Sequence, residues 1–186
     1  MKIFRKLLFL LCFTFFGNSL YSEDDYSPFR YTYFQEAGVS FYYSGYAFAP
    51  SLGYWFRFNF YEKNEFLSVS ASCPVSVGGY FSSYSGGYFA LDLPATVEIN
   101  FGNRANDLTE FPIGGFAGVG GGFNLMYGFG ASRSYGPLVH GGLRTSIAGK
   151  NMTLRFSYLI GVGGIAENSS IDTNPNVLGL GIFYSL

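Results

Sequence analysis

An all-β fold is predicted: an eight-stranded antiparallel up-and-down barrel that crosses a membrane. Three observations carry the prediction. Large apolar residues recur at every second position, most regularly in residues 176–186. There Leu178, Leu180, Ile182, Tyr184 and Leu186 alternate with Val177, Gly179, Gly181, Phe183 and Ser185. A period of two belongs to a strand with one apolar face, and a tilted strand of this length crosses a bilayer. The second observation is composition: 16 Tyr, 22 Phe and 26 Gly, with 12% charged residues, against about 25% in a typical soluble domain. The third is that no apolar run beyond residue 22 is long enough for a helical span, and a closed barrel is the other structure that satisfies a backbone in lipid.

Residues 1–22 read as a secretory signal peptide. Lys2, Arg5 and Lys6 precede the apolar run Leu7 to Phe16, and Gly17, Asn18, Ser19 and Ser22 supply a cleavage region. The run is too short for a membrane anchor. Cys12 lacks the small residues expected before a lipidated cysteine. The remaining domain, 23–186, opens with a polar lead-in over 23–30. Loss of the leader removes three of eleven basic residues and none of twelve acidic ones, leaving eight against twelve, a net charge of −4. No basic patch for nucleic acid survives. Cys73 is then the only cysteine, so an internal disulfide is excluded.

The strands follow in order. The first runs over 31–43, with Tyr31, Tyr33, Ala37, Val39, Phe41 and Tyr43 on one face. The second sets Leu52, Tyr54, Phe56, Phe58 and Phe60 against Gly53, Trp55, Arg57 and Asn59. The third has Leu67 to Val77 opposed by Ser68, Ser70, Ser72 and Ser76, with a bulge or bend expected at Pro74 because proline donates nothing to a ladder. The fourth alternates Phe89, Leu91, Leu93, Ala95, Val97, Ile99 and Phe101 with Asp92, Pro94, Thr96, Glu98 and Asn100. The fifth, 113–127, is laden with glycine, and weak alternation there leaves ten strands as the alternative count. The sixth covers 139–147, the seventh 152–161, and the eighth closes the chain. An even number puts both termini on the periplasmic side, with turns at 61–65, 102–110 and 148–151. The connections 44–50, 78–88, 128–136 and 163–175 then face outside.

A soluble barrel buries its apolar face, whereas a membrane barrel exposes it. The charges decide between them. Turning the aromatic face outward places Glu36, Arg57, Asp92, Glu98, His140, Arg144 and Arg155 inside and leaves the strands' outer face uncharged. A barrel of eight strands has room for little beyond its own side chains. Three carboxylates facing three guanidiniums predict a charge-paired network that plugs the lumen.

With these strands and this parity, the mature chain resembles the small eight-stranded outer-membrane barrels of the OmpA/OmpX type. The final strand, with Leu178, Leu180, Ile182, Tyr184 and Leu186, resembles the C-terminal signal read by the barrel-assembly machinery, with Leu186 where phenylalanine is usual. The resemblance implies an outer-membrane location, contact with outer-membrane lipid, and structural or surface-interaction work. A narrow channel, or a barrel binding a small molecule or lipid, is the alternative, and a lipid-modifying enzyme the third.

Chemistry finds little support. His140, the sole histidine, turns inward and has no serine two residues on, so no catalytic residue is assigned. One His and one Cys make a Cys/His metal site improbable, and oxygen ligands at Glu167, Asn168 and Asp172 read as solvated loop residues. No metal or cofactor is expected. Gly118, Gly120 and Gly122 lack the helix that a phosphate loop needs. With Gly161, Gly179 and Gly181 they instead leave lumen volume for a pocket or passage. Tyr80, Phe81, Tyr84 and Tyr88 belong to the rim or to a surface for an external partner, through 78–88 and 163–175.

Overall fold

The computed structural model describes residues 31–186 apart from 46, 83–85, 129, 148 and 167–174. The leader, the lead-in, Tyr84, Glu167, Asn168 and Asp172 therefore lie outside the described residues. The strands are β1 (Thr32–Tyr43), β2 (Phe48–Asn64), β3 (Leu67–Ser82), β4 (Gly86–Gly102), β5 (Ile113–Gly128), β6 (Gly130–Ile147), β7 (Lys150–Leu159), β8 (Gly163–Ala166) and β9 (Val177–Ser185). Each pairs antiparallel with its neighbours. β1 lies between β2 and β9, and the β5–β6 pairing completes the circuit. β7 and β8 are two pieces of one stave. Ile160 and Val162 between them still donate to Pro137 and Tyr135 of β6. The result is a closed barrel of eight staves.

Alternation sets the faces. Thr32, Phe34, Glu36, Ser40 and Tyr42 of β1 are buried, while Tyr33, Val39, Phe41 and Tyr43 are exposed. The outer face is apolar: Val97, Ile99, Val119, Leu143 and Phe156 are each at least half exposed. Aromatic rings gather at the end that holds the termini, where Tyr31 stacks on Phe58 and Phe66 packs edge-on to Phe111.

Several expectations need correction. The connections expected at 78–88 and 128–136 are largely strand, and the end of 44–50 is strand as well, because β2 begins at Phe48, β3 runs to Ser82, β4 starts at Gly86 and β6 at Gly130. Part of 163–175 is strand β8. The hairpins therefore continue past the membrane-crossing stretch, and Arg133, expected in a loop, stands exposed on the outer face of β6. From there to the turn, the outward side of β6 is uncharged over 135–147. At about 3.3 Å per residue and a tilt near 45° this rises about 30 Å, the thickness of a bilayer's hydrocarbon core.

No bulge sits at Pro74. Its register to Trp55 is regular, and the irregularities in β2–β3 pairing lie lower, between Asn59 and Tyr61 and between Glu62 and Asn64. On the β4 side the ladder lapses between Ser72↔Thr96 and Ser76↔Asp92 without a change of register, which sets Pro74 opposite Pro94.

Candidate functional site

The inside of the barrel holds the chain's buried charge, and it is built in three levels. At the end that holds the termini the turn after β4 folds inward rather than lying as a polar surface turn. Positive φ at Gly102 and Arg104 reverses the chain there, and Asn103, Arg104, Ala105 and Asn106 are buried. At Gly102 a side chain would strike the Ile113 backbone. The Ala105 carbonyl accepts from Asn59 Nδ2 at 2.7 Å and from Ser68 Oγ. Asn106 Nδ2 donates to the Asn64 carbonyl at 3.0 Å. Glu62 accepts from Thr32 Oγ1 and from Asn59 Nδ2. The register shift after Asn59 is what turns Glu62 inward beside it.

Charge concentrates at the middle level. Glu98 accepts from Ser72 Oγ, lies 3.4 Å from Arg144 Nη2, and faces His140 Nε2 at 3.5 Å. Asn100 Oδ1 accepts from Arg57 Nη1 at 2.9 Å and from Arg144 Nη1 at 2.7 Å, so a neutral amide bridges two guanidiniums. Aromatic rings fill the space between them. Trp55 packs edge-on to Phe116 and Phe183, and Arg144 lies 4.3 Å from the Phe116 ring centre. Arg155 sits 5.7 Å from the Trp55 ring and donates from Nε to His140 Nδ1 at 3.3 Å. Contacts of this kind stabilise desolvated guanidiniums by about 2 kcal/mol.

All seven residues assigned to the lumen are buried, and their pairing is uneven. Arg144 has a carboxylate, Glu98. Glu36 pairs instead with Arg104, at 3.7 Å, a residue of the inward turn that the strand pattern does not reveal. Burial lowers the Arg104 guanidinium from its ordinary pKa, and the Glu36 carboxylate opposes this. Arg57 donates to the Arg104 carbonyl at 2.6 Å and lies over Phe34. Asp92 accepts from Asn124 Nδ2 at 2.9 Å, and its Oδ2 has no partner.

The third level, toward the loops, is apolar. Tyr42, Ala49, Ala90, Met126, Leu138, Leu159 and Val177 pack together, contributed by seven different strands. Tyr88 packs on this layer and donates to the Pro50 carbonyl at 2.8 Å, so it belongs to the inside of the rim. The inward glycines seat neighbouring side chains here. A side chain at Gly118 would strike His140, at Gly122 it would meet Leu138 and Leu159, and at Gly181 it would strike Phe183. At these three positions rings and leucines take the space beside the glycine.

His140 lies inside: its ring neighbours are Trp55 and Phe116, it accepts a hydrogen bond from Arg155, and Glu98 lies 3.5 Å from its Nε2. The C-terminal residues split by face. Leu178, Leu180, Tyr184 and Leu186 are exposed on the outside and Ile182 half-buried there, in a strand held between β1 and β7.

No protein-family model matches the chain, and none of the curated proteins does. Solved structures do. The attachment invasion locus protein Ail of Yersinia pestis is 16% identical, with a TM-score of 0.51 over 83% of this chain and 97% of that one. Neisserial surface protein A is 14% identical, with a TM-score of 0.43 over 84% and 96%. The N-terminal barrel of Pseudomonas aeruginosa OprF is 11% identical, with a TM-score of 0.44 over 83% and 96%. At these identities the likeness to Ail is one of fold. The chain is a closed, antiparallel, up-and-down barrel of eight staves, with the fold of the small bacterial outer-membrane barrels.

Proposed function

We propose that the protein is an outer-membrane barrel with a structural or surface-interaction role and a lumen closed to solutes. The apolar layer carries the reading: side chains from seven strands meet across the lumen, and water and ions do not cross a packed apolar layer readily. The inward turn at 103–106 supports it from the other end. The uncharged height of about 30 Å on β6 and the aromatic band at the termini support a bilayer location. The chain reaches this location through its leader, and the assembly machinery engages its last strand. Catalysis is not part of the reading, because His140 is engaged inside the barrel by Arg155 and Glu98.

The test is passage of small ions and sugars into proteoliposomes by wild type beside Arg57→Ala. Wild type is expected to pass neither. Reproducible passage, altered in Arg57→Ala, would overturn the closed lumen and favour a narrow channel. Flotation with membranes, together with a mobility shift between boiled and unboiled samples, checks the barrel's insertion.

A further inference from the structure

The β3–β4 seam holds a feature that the closed-lumen reading does not use. Pro74 and Pro94 oppose each other near the midpoints of their strands, and the ladder lapses around them. On their other sides both prolines remain in regular ladders, Pro74 opposite Trp55 and Pro94 opposite Gly122. In an antiparallel sheet a residue's N–H and C=O point to the same neighbour, and alternate residues share that direction. The lapse on one side only therefore turns the backbone polar groups of both prolines into the seam. Neither has an N–H. Two carbonyls thus face each other across the seam with no ladder donor between them. At this depth lipid tails offer no donor either.

The outside of the wall beside this seam is hollowed. Ala71 and Cys73, on the outer face beside Pro74, lie next to the larger Phe56 and Phe58 of β2 and Tyr33 of β1, and together they line a cavity of about 350 Å³. Across the seam the outward residue is Ala95, and beyond it Gly121, where a side chain would meet only the Gly136 carbonyl, at 3.8 Å. On the inner side, Asp92 is the next inward residue of β4 toward the loops, and its Oδ2 is a further acceptor without a partner. Apolar space outside and unpaired acceptors at the seam are complementary to one class of molecule.

We propose that this seam binds a single-chain amphiphile whose head is a hydrogen-bond donor, a hydroxyl or an amine. The chain lies in the hollow over Ala71 and Cys73, and the head donates to the carbonyls of Pro74 and Pro94. An anionic head without a donor is excluded by the same acceptors. The inference rests on the bilayer location proposed above.

The experiment uses the full mature barrel in phosphatidylcholine vesicles with a diazirine-bearing hexadecanol, beside its methyl ether, which keeps the chain and loses the donor. Labelled peptides are mapped by mass spectrometry, and flotation of the vesicles is read first. The alcohol is expected to label the segments around Ala71–Cys73 and Phe56–Phe58 about fivefold over the rest of the wall and over the ether, as a net hydrogen bond allows. The double change Pro74→Ala, Pro94→Ala, which restores a ladder donor to each carbonyl, is expected to abolish the preference, and so is Cys73→Trp, which fills the hollow. Labelling spread evenly around a floating barrel overturns the site. Equal labelling by the ether, or a preference that survives replacement of both prolines by alanine, overturns the role of the carbonyls. A chain that does not float overturns the bilayer location and the site together.

Discussion

Replacing Arg144 by alanine strands the Glu98 carboxylate, which Arg144 and Ser72 hold in a fully buried position. Breaking such a pair from one side costs about 3–5 kcal/mol, whereas removing both charges costs far less. Unfolding by urea in lipid vesicles should therefore show Arg144→Ala strongly destabilised and the double change Arg144→Ala, Glu98→Gln partly recovered. If both variants lose the same stability, the pair is not what holds Glu98. Gly118 offers a steric counterpart. A methyl group there meets His140 and Glu98, and overpacking of this kind costs about 1–3 kcal/mol. Gly118→Ala is expected to lower the unfolding midpoint by that amount, while Gly121→Ala, on the open outer face, leaves it nearly unchanged.

Among the elements, the connection between β4 and β5 does the most that its composition does not announce. It supplies the carbonyl acceptors for Arg57, Asn59 and Ser68 and the cation for Glu36. Replacing residues 103–111 with a short turn would keep the hairpin but remove these partners from buried groups, each loss at about 1–3 kcal/mol. The expected result is an intact barrel that unfolds on gels at a clearly lower temperature; an unchanged temperature would show that the turn is dispensable. The last strand makes a separate expectation. Leu186 is exposed, its N–H bonded to the Gln35 carbonyl, so Leu186→Asp should leave the finished ladder intact yet slow assembly by outer-membrane machinery in vitro. Equal assembly rates would argue that the final side chain is not read.

For the molecule as a whole, the decisive asymmetry is between the two faces of one strand. Val97 is half exposed on the outside, beside inward Thr96 and Glu98. An arginine on the lipid face near mid-membrane costs about 2–4 kcal/mol and little near the interfaces. Val97→Arg should therefore destabilise the vesicle-inserted barrel by that amount, and an arginine at Ile147, beside the turn, by much less. Equal penalties would mean that the apolar belt does not follow membrane depth.

The period of two determined most of this architecture from the sequence alone: the strands, their faces, and which seven titratable side chains lie inside. It sufficed because a strand's side chains can point only two ways, and charge marks one of them. It failed where parity is broken or absent. Glu62 reads as a turn residue until the irregularity after Asn59 flips it inward. Arg104 reads as a solvated charge until positive φ at Gly102 and at Arg104 itself folds it under the barrel. The hairpin lengths were hidden too, since Gly, Ser and Tyr near the loops suit turns as well as strands, and pairing with a neighbour selects between them. Likewise only barrel closure brings Leu138 and Leu159 against Tyr42 and Val177, or sets Pro74 against Pro94. Such contacts depend on register between strands, and register is a property of the assembled sheet.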